Sequence, residues 1–220
     1  MSKKNSIVLN HKNCFSSSEQ IFSIYSKFKK KFVNLKTNKF LVAVSGGPDS
    51  LALAAMCKVI ALNDKKKKFY YVNVNHGIRK NSYKESEFVK KILKKQNISL
   101  KIITNKKKII KNIQHSARKV RYSLLDKECQ KKKIKLILTA HHKDDQIETF
   151  LIRLSRGSGV QGLSAMDRIS LLNGKIKIFR PFLDENKKNL IFVTNKVFGT
   201  YVKDPSNYNK KFLRSNVRKL

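Results

Sequence analysis

Six residues between two apolar segments place the strongest constraint on the fold: Ser45-Gly46-Gly47-Pro48-Asp49-Ser50. The apolar run at 40–44 precedes them, and helix-forming residues at 51–62 follow them. This order predicts a buried strand, a tight turn and a helix. Glycines let a bound group approach the backbone, and a helix start offers unpaired N–H groups and the positive end of its dipole. The turn is therefore predicted to bind phosphate.

The rest of the apolar pattern alternates between strands and helices. Further strands are predicted at 69–75, 98–103, 134–139 and 175–179, and helices at 82–96, 114–131, 144–156 and 186–197. Short connections between such elements predict an α/β fold with a doubly wound, mostly parallel sheet of about five strands and helices on both faces. Ligands of such sheets bind beyond the carboxyl ends of the strands.

An amphipathic helix is predicted near the amino terminus, at 18–32, with Ser17 or Ser18 as its cap. The residues expected on its apolar face are Ile21, Phe22, Ile24, Tyr25 and Phe28. We expect two parts in the chain, an N-terminal extension at 1–39 and a catalytic domain at 40–220.

The charge of the chain favours a polyanionic partner. Its 220 residues include 50 Lys and Arg against 14 Asp and Glu, for a formal net charge of +36. A positive field of this size attracts nucleic acid. Compositional drift toward lysine would produce the same excess, so the lysine runs are interpreted mostly as solvated surface. The nine arginines are more informative, because a guanidinium binds phosphate or carboxylate in a bidentate manner.

Cysteine spacing and hydropathy exclude several classes of protein. The three cysteines, Cys14, Cys57 and Cys129, are isolated, and no CxxC occurs. This argues against a disulfide scaffold, a zinc site and a thiolation enzyme that carries a persulfide. No signal peptide or membrane span is visible in the sequence. We therefore expect a cytoplasmic protein without a membrane partner.

A second polar cluster follows the strand predicted at 134–139. In a helix, His141, Asp145 and Glu148 would lie on one face, at positions i, i+4 and i+7. An imidazole and two carboxylates can hold Mg²⁺, orient an ammonium group or move a proton. The alternative is a charged helix start that complements the helix dipole. The location at a strand end near the phosphate loop favours a catalytic role.

Six further motifs, together with the loop, resemble the tRNA(Ile)-lysidine synthetase family of PP-loop ATP pyrophosphatases. In chain order they are VNHGIR at 74–79, ARKVRY at 117–122, TAHHKDDQIET at 139–149, RLSRGSGVQGL at 153–163, RP at 180–181 and DPSN at 204–207. The resemblance extends from residue 40 to the carboxyl terminus. It implies the PP-loop ATP pyrophosphatase fold for the sheet described above.

The resemblance also implies an activity. Members of this family are ligases that use ATP and Mg²⁺ to join free lysine to the wobble cytidine of tRNA(Ile) with a CAU anticodon. The C2 oxygen of the cytidine attacks the α-phosphate, which gives an adenylated base and pyrophosphate. The side-chain amine of lysine then attacks C2, AMP leaves, and the product is lysidine. The partners implied are this tRNA and free lysine.

Residue roles follow from the resemblance together with the chemistry of each side chain. The ATP-binding residues are expected to be Ser45, Gly46, Gly47, Pro48, Asp49 and Ser50. The candidate catalytic residues are Asp49, as a possible Mg²⁺ ligand, and His141, Asp145 and Glu148, which would bind and deprotonate the lysine amine. Phosphate contacts, with structural salt bridges as the alternative, are expected from Arg118, Arg121, Arg153 and Arg156. A contact with lysine or RNA is expected from Arg214.

The sequence departs from the family pattern at a few positions, namely Asn75, Asn209, Ser215 and Asn216. The sequence ends at Leu220, where the family usually continues into a C-terminal tRNA-binding region, so we expect either a form without that region or an incomplete sequence. Two alternative functions stay open. One is another PP-loop enzyme that modifies tRNA or forms an amide. The other is a non-catalytic, basic RNA-binding protein.

Overall fold

The computed structural model describes Leu9, Phe15 and residues 18–78, 81–105 and 112–203. This part of the chain contains six strands: β1 (Lys39–Ala43), β2 (Lys68–Asn75), β3 (Leu100–Thr104), β4 (Leu136–Leu138), β5 (Ile169–Asn173) and β6 (Ile176–Phe179). They form one sheet in the order β3-β2-β1-β4-β6-β5. All neighbouring pairs are parallel except β5 and β6, which are antiparallel.

Six α-helices accompany the sheet: α1 (Glu19–Lys30), α2 (Pro48–Asn63), α3 (Ser82–Lys94), α4 (Ile113–Lys132), α5 (Lys143–Leu154) and α6 (Lys187–Phe198). A short 3₁₀ helix, Val160–Leu163, lies between α5 and β5. The described helices include none with the length and apolar character that a membrane span requires.

Helices cover both faces of the sheet, as the sequence predicts. On one face, α1, α2, α3 and α6 contribute to a single core with β1. The central helix of this face is α2, whose side chains at Leu51, Leu53 and Met56 are completely buried. Burial of each such side chain contributes about 1.5–3 kcal/mol. On the other face, Leu125 and Cys129 of α4 pack on β1, β2 and β4.

Two details of the prediction need correction. The sheet has six strands rather than about five, because the sequence pattern does not predict β5. β5 is an edge strand that pairs with β6 alone, and its Ile169 and Leu171 are exposed, so it lacks the buried apolar pattern of a core strand. In α1, Phe22 is 55% exposed and does not belong to the apolar face. The other four residues predicted for that face are buried, and the Ser18 hydroxyl caps the helix.

The strand order creates a crevice at the carboxyl ends of the strands. From β1 the chain proceeds outward to β2 and β3, and then crosses back to place β4 on the other side of β1. The ends of β2 and β4 therefore flank the end of β1. In open parallel sheets a ligand site forms at this kind of switch point.

Candidate active site

The loop after β1 needs glycine at position 46. Gly46 has φ +96°, and a Cβ atom there would lie 2.4 Å from Val89 Cγ2 of α3 and 3.3 Å from Val202 Cγ2. The N–H of Val202 also donates a hydrogen bond to the Gly46 carbonyl, at 3.0 Å. The loop is therefore enclosed between α3 and the segment after α6, where any side chain would both clash and strain the backbone.

The hydroxyl of Ser50 closes this loop. It accepts hydrogen bonds from the N–H groups of Ser45, at 3.2 Å, and Gly46, at 3.1 Å, and donates one to the Gly47 carbonyl at 2.9 Å. Gly47 is the N-cap of α2, and Pro48 is its first residue, a position where the missing N–H costs nothing. The six predicted residues thus form one compact turn at a helix start, where an anion is favoured.

Asp49 lies in the first turn of α2 and faces α5. Its Oδ2 atom is 3.6 Å from Nε2 of His142. Its Oδ1 atom is buried and has no hydrogen-bond partner among the described residues. A buried carboxylate oxygen without a donor can accept a ligand proton or a hard cation such as Mg²⁺.

His142 is the histidine that joins the carboxylates. Its side chain is only 3% exposed, and its Nε2 atom is 3.5 Å from Oδ2 of Asp145. Its Nδ1 atom is 3.9 Å from Oδ1 of Asp144. Burial works to lower the pKa of His142, but the hydrogen bond to Asp49 and the charges of Asp145, Asp49 and Asp144 prevail, so the pKa is raised above 6.5.

The helix start explains why His142, rather than His141, occupies this place. α5 begins at Lys143, and His142 is its N-cap, with φ −128° and ψ −177°. The N–H of His142 donates to Oδ2 of Asp145, at 3.0 Å, as in a capping box. His141 therefore lies outside the helix, contrary to the predicted shared face, and its Nδ1 atom is 2.9 Å from the Thr139 hydroxyl.

Glu148 is the second predicted carboxylate of α5. It is buried, and it lies three residues after Asp145, so the two side chains are on the same side of the helix. Asp145 is half-buried at 13% side-chain exposure. The acidic side of the site thus combines Asp49, Asp145 and Glu148 with the His142 imidazole.

The end of β2 has the opposite character. Nε of Arg121, on α4, donates to Nε2 of His76 at 3.3 Å. Burial, and secondarily the charge of Arg121, lower the pKa of His76 from 6.5 to about 4, so its imidazole is neutral. Asn75, one of the departures from the family pattern, is buried, and its Oδ1 accepts the N–H of Gly77 at 2.9 Å.

The other predicted arginines have different surroundings. The Arg118 guanidinium lies over the Tyr122 ring, 5.0 Å from its centroid. Arg153 donates to the carbonyl oxygens of Gly162 and Ser164, so it holds the segment after α5 in place. Arg156 is exposed beyond the end of α5. Arg214 lies outside the described residues, as do the departures at Asn209, Ser215 and Asn216.

Two other residues received no role from the sequence but organise the site. Gln146 of α5 forms a pair of hydrogen bonds with the backbone of Met166, both at 2.8 Å. Arg180, after β6, is buried and donates to the Asp167 carbonyl at 2.7 Å and to the Ser170 hydroxyl at 2.9 Å. Gln146 thus ties the segment before β5 to α5, and Arg180 ties the start of β5 to the end of β6. Their only sequence signal was membership of the DDQxET and RP motifs.

Cysteine and metal-cluster chemistry finds no support in this part of the chain. Cys57 and Cys129 are free and buried. Burial raises the pKa of Cys57, and burial with the charges of Asp126 and Glu128 raises the pKa of Cys129 to about 12. Among the described residues, no group of three or more His, Cys, Asp or Glu side chains is arranged to hold a metal ion. Asp49, whose Oδ1 is buried without a hydrogen-bond partner among the described residues, is a candidate acceptor for a cation.

Comparison with known proteins identifies the family. A family model described as a PP-loop domain, an ATP-binding family, matches residues 21–220. The chain belongs to the PP-loop family. The turn at 45–50, named the PP-loop from here on, lies within the matched residues, in the crevice at the ends of β1, β2 and β4.

Two curated relatives of this chain are both tRNA(Ile)-lysidine synthases. The tRNA(Ile)-lysidine synthase of Wolbachia pipientis wMel is 43% identical over 185 residues, which cover 83% of this chain and 43% of the relative. That of Orientia tsutsugamushi is 39% identical over 186 residues, which cover 83% and 41%. The chain thus spans less than half the length of these relatives.

Solved structures agree with the PP-loop fold. A U34-tRNA thiolase from Methanococcus maripaludis has a TM-score of 0.76 at 22% identity, over 91% of this chain and 71% of that chain. An NH₃-dependent NAD synthetase from Campylobacter jejuni has a TM-score of 0.50 at 18% identity, over 91% and 79%. At these identities the likeness concerns the fold.

Proposed function

We propose that this chain is the catalytic domain of a tRNA(Ile)-lysidine synthetase, a ligase that forms a carbon–nitrogen bond. It would join free lysine to C2 of the wobble cytidine of tRNA(Ile) with a CAU anticodon, at the expense of ATP. Similarity to the curated tRNA(Ile)-lysidine synthases supports this proposal. The observation that carries it is that Asp49 of the PP-loop and Asp145 of α5 lie against the same buried imidazole.

The first step is adenylation of the cytidine. Its C2 oxygen attacks the α-phosphorus of ATP, the bond to the β-phosphate oxygen breaks, and pyrophosphate leaves. The start of α2 stabilises the phosphates through first-turn N–H groups and the helix dipole, and the hydroxyl of Ser50 holds the loop in shape. Asp49 Oδ1, a buried acceptor, would hold Mg²⁺, which neutralises phosphate charge when it is bound.

The second step is attack by lysine. A free lysine side chain has a pKa near ~10.4 and is protonated at neutral pH, so it must lose a proton to become a nucleophile. Asp145 and Glu148 bind the ammonium group and take up the proton, with His141 as a further candidate at the edge of the cluster. The C2–N bond forms, the C2–O bond breaks, and AMP departs.

The basic side binds the phosphates of the substrates. Arg121 lies at the end of β2, oriented by the neutral His76, and Arg118 is three residues earlier on the same helix. Arg156 is proposed as a further contact with ATP or RNA, Arg214 as a contact with lysine or RNA, and Arg153 as a residue that holds the segment after α5 in place. tRNA and free lysine are cytoplasmic molecules, so we propose a cytoplasmic enzyme.

The test is pyrophosphate release by the full chain with Mg-ATP and unmodified tRNA(Ile) carrying a CAU anticodon, with and without free lysine. We expect lysine to be required for lysidine, detected in the digested tRNA by mass spectrometry. Pyrophosphate release without lysidine would instead indicate another PP-loop enzyme. Binding of RNA without binding of ATP would indicate a non-catalytic RNA-binding protein.

A further inference from the structure

We propose that His142 is a positioning residue that holds the PP-loop carboxylate Asp49 and the α5 carboxylate Asp145 in one fixed arrangement. The inference rests on the proposed function, in which Asp49 serves the ATP half of the site and Asp145 the lysine half. His142 itself is too buried to reach a substrate, at 3% side-chain exposure. It acts through the two carboxylates.

The position of the imidazole is the first argument. Its Nε2 atom is 3.6 Å from Oδ2 of Asp49 and 3.5 Å from Oδ2 of Asp145. One nitrogen therefore lies between the carboxylates of two helices, α2 and α5. Without this nitrogen, two negative groups from α2 and α5 would face each other. Asp145 would stay held by the backbone N–H of His142, so Asp49 would turn away from it, and the ATP and lysine halves of the site would separate.

The rigidity of the surroundings is the second argument. The backbone of His142 forms a parallel β-bridge with Phe182, and the next N–H, of Lys143, donates to the Glu185 carbonyl at 2.9 Å. On the other side, the carbonyl of Pro48, next to Asp49, accepts the hydroxyl of Thr194 on α6 at 2.6 Å. Both ends of the Asp49–His142 contact are therefore anchored in the core. Because the imidazole is anchored, it fixes the distance between the Asp49 and Asp145 carboxylates more firmly than a solvent-exposed side chain would.

Two substitutions of similar size separate positioning from packing. His142→Leu fills the space but removes the nitrogen, whereas His142→Gln keeps an N–H donor at the place of Nε2. His115→Ala, at an exposed histidine near the start of α4, serves as the matched control. Circular dichroism and thermal unfolding establish that each variant is folded. Mg-ATP affinity is then measured by calorimetry, and the KM for lysine by lysidine formation.

For the leucine variant we expect weaker binding of both Mg-ATP and lysine. We expect His142→Leu to weaken Mg-ATP binding about tenfold and to raise the KM for lysine at least tenfold. His142→Gln should recover most of both values, and His115→Ala should match the natural chain. Leucine and glutamine variants with equal affinities would overturn the proposal, because packing alone would then explain the residue. A leucine variant that changes only the Mg-ATP affinity, or only the KM for lysine, would also overturn the proposal.

The calorimetric arm keeps this inference separate from the proposed function. If the natural chain binds Mg-ATP but forms no lysidine, the proposed reaction is wrong. The ATP affinities of the leucine and glutamine variants still decide whether His142 positions Asp49. A leucine variant that does not fold would be replaced by His142→Met, which retains volume and flexibility and also lacks the N–H donor.

Discussion

The two strands that flank β1 end in histidines with opposite properties. At the end of β2, His76 faces the guanidinium of Arg121, and its pKa is lowered to about 4. At the end of β4, His142 faces Asp49 and Asp145, and its pKa is raised. Both imidazoles are shielded from water, so burial alone favours the neutral form in each. The neighbouring charges decide the difference.

This contrast divides the crevice by charge. The β2 side presents cations and an imidazole whose pKa is lowered, and the β4 side presents carboxylates around an imidazole whose pKa is raised. An enzyme that must hold phosphate and an ammonium group within one site needs such a division, because each group would repel the wrong side. The PP-loop lies between the two, at the end of β1.

The largest expected effect is on the acidic side. Asp145→Asn removes a carboxylate proposed to bind and deprotonate the lysine amine, so we expect lysidine formation to fall by about a thousandfold. The measurement is the initial rate at saturating ATP. The control is Asp64→Asn, at an exposed turn after α2, which should stay within twofold. An Asp145→Asn enzyme with the natural rate would break the proposed division.

The loop between the two sides comes next. Gly46→Ala introduces a Cβ that meets Val89 at 2.4 Å, in a backbone conformation with φ +96°. We expect the free energy of unfolding to fall by about 2–5 kcal/mol and Mg-ATP binding to weaken about a hundredfold. Urea unfolding and calorimetry measure the two quantities.

Gly47→Ala provides the internal comparison for that experiment. Among the described residues, a Cβ at Gly47 would meet only the Ser45 hydroxyl, at 3.7 Å, which is an ordinary contact. We expect its free energy of unfolding to stay within about 1 kcal/mol of the natural value. Equal destabilisation by the two substitutions would contradict the close approach seen at Gly46.

A smaller effect is expected on the basic side. Arg121→Ala removes a guanidinium from the end of β2, and we expect the affinity for at least one phosphate-bearing substrate, Mg-ATP or tRNA, to fall about tenfold. Lys119→Ala, an exposed cation on the same helix, should change each affinity by less than twofold. If both substitutions act equally, net charge rather than a defined site attracts the phosphates.

The smallest effect concerns the pH dependence of stability. The unfolded chain protonates His76 near pH 6.5 and the folded chain only near about 4, so this group lowers the free energy of unfolding as the pH falls between these values. His76→Gln cannot be protonated but can still accept from Arg121. Between about pH 7 and about pH 5 we expect it to lose about 1 kcal/mol less than the natural chain.

An NMR titration of the natural chain compares the two histidines directly. In Mg²⁺-free solution, NMR titration should show the His76 imidazole still neutral at about pH 5, while the His142 imidazole titrates above 6.5. Two histidines with the same midpoint would remove the basis for the contrast between the two strand ends.

Local sequence signals predicted the elements that carry strong patterns. The apolar run before the loop became β1, the glycine turn formed at 45–50, and the acidic stretch became the start of α5. The edge strand β5 is not predicted, because its residues alternate between exposed and half-buried positions, a pattern that a core strand does not show. A strand of this kind depends on its neighbour, β6, rather than on its own sequence.

The roles of the histidines show where sequence reasoning stops. A face shared by His141, Asp145 and Glu148 assumes that the helix includes position 141, but α5 begins two residues later. Which of two adjacent histidines caps a helix depends on the contact with Asp145. The pairing of His76 with Arg121 joins residues 45 positions apart, so it follows from the packing of α4 and not from any local spacing.

The hydrogen bond from Val202 to Gly46 has a consequence for how the protein is made. The loop emerges from the ribosome early, yet the neighbour that encloses it is synthesised 156 residues later. At the usual rates of translation, roughly 5–20 residues per second, this delay amounts to roughly 8–30 seconds. During that interval ATP cannot assist folding through a finished site. The loop is enclosed as in the folded protein only after Val202 reaches Gly46, so full nucleotide affinity is expected only then.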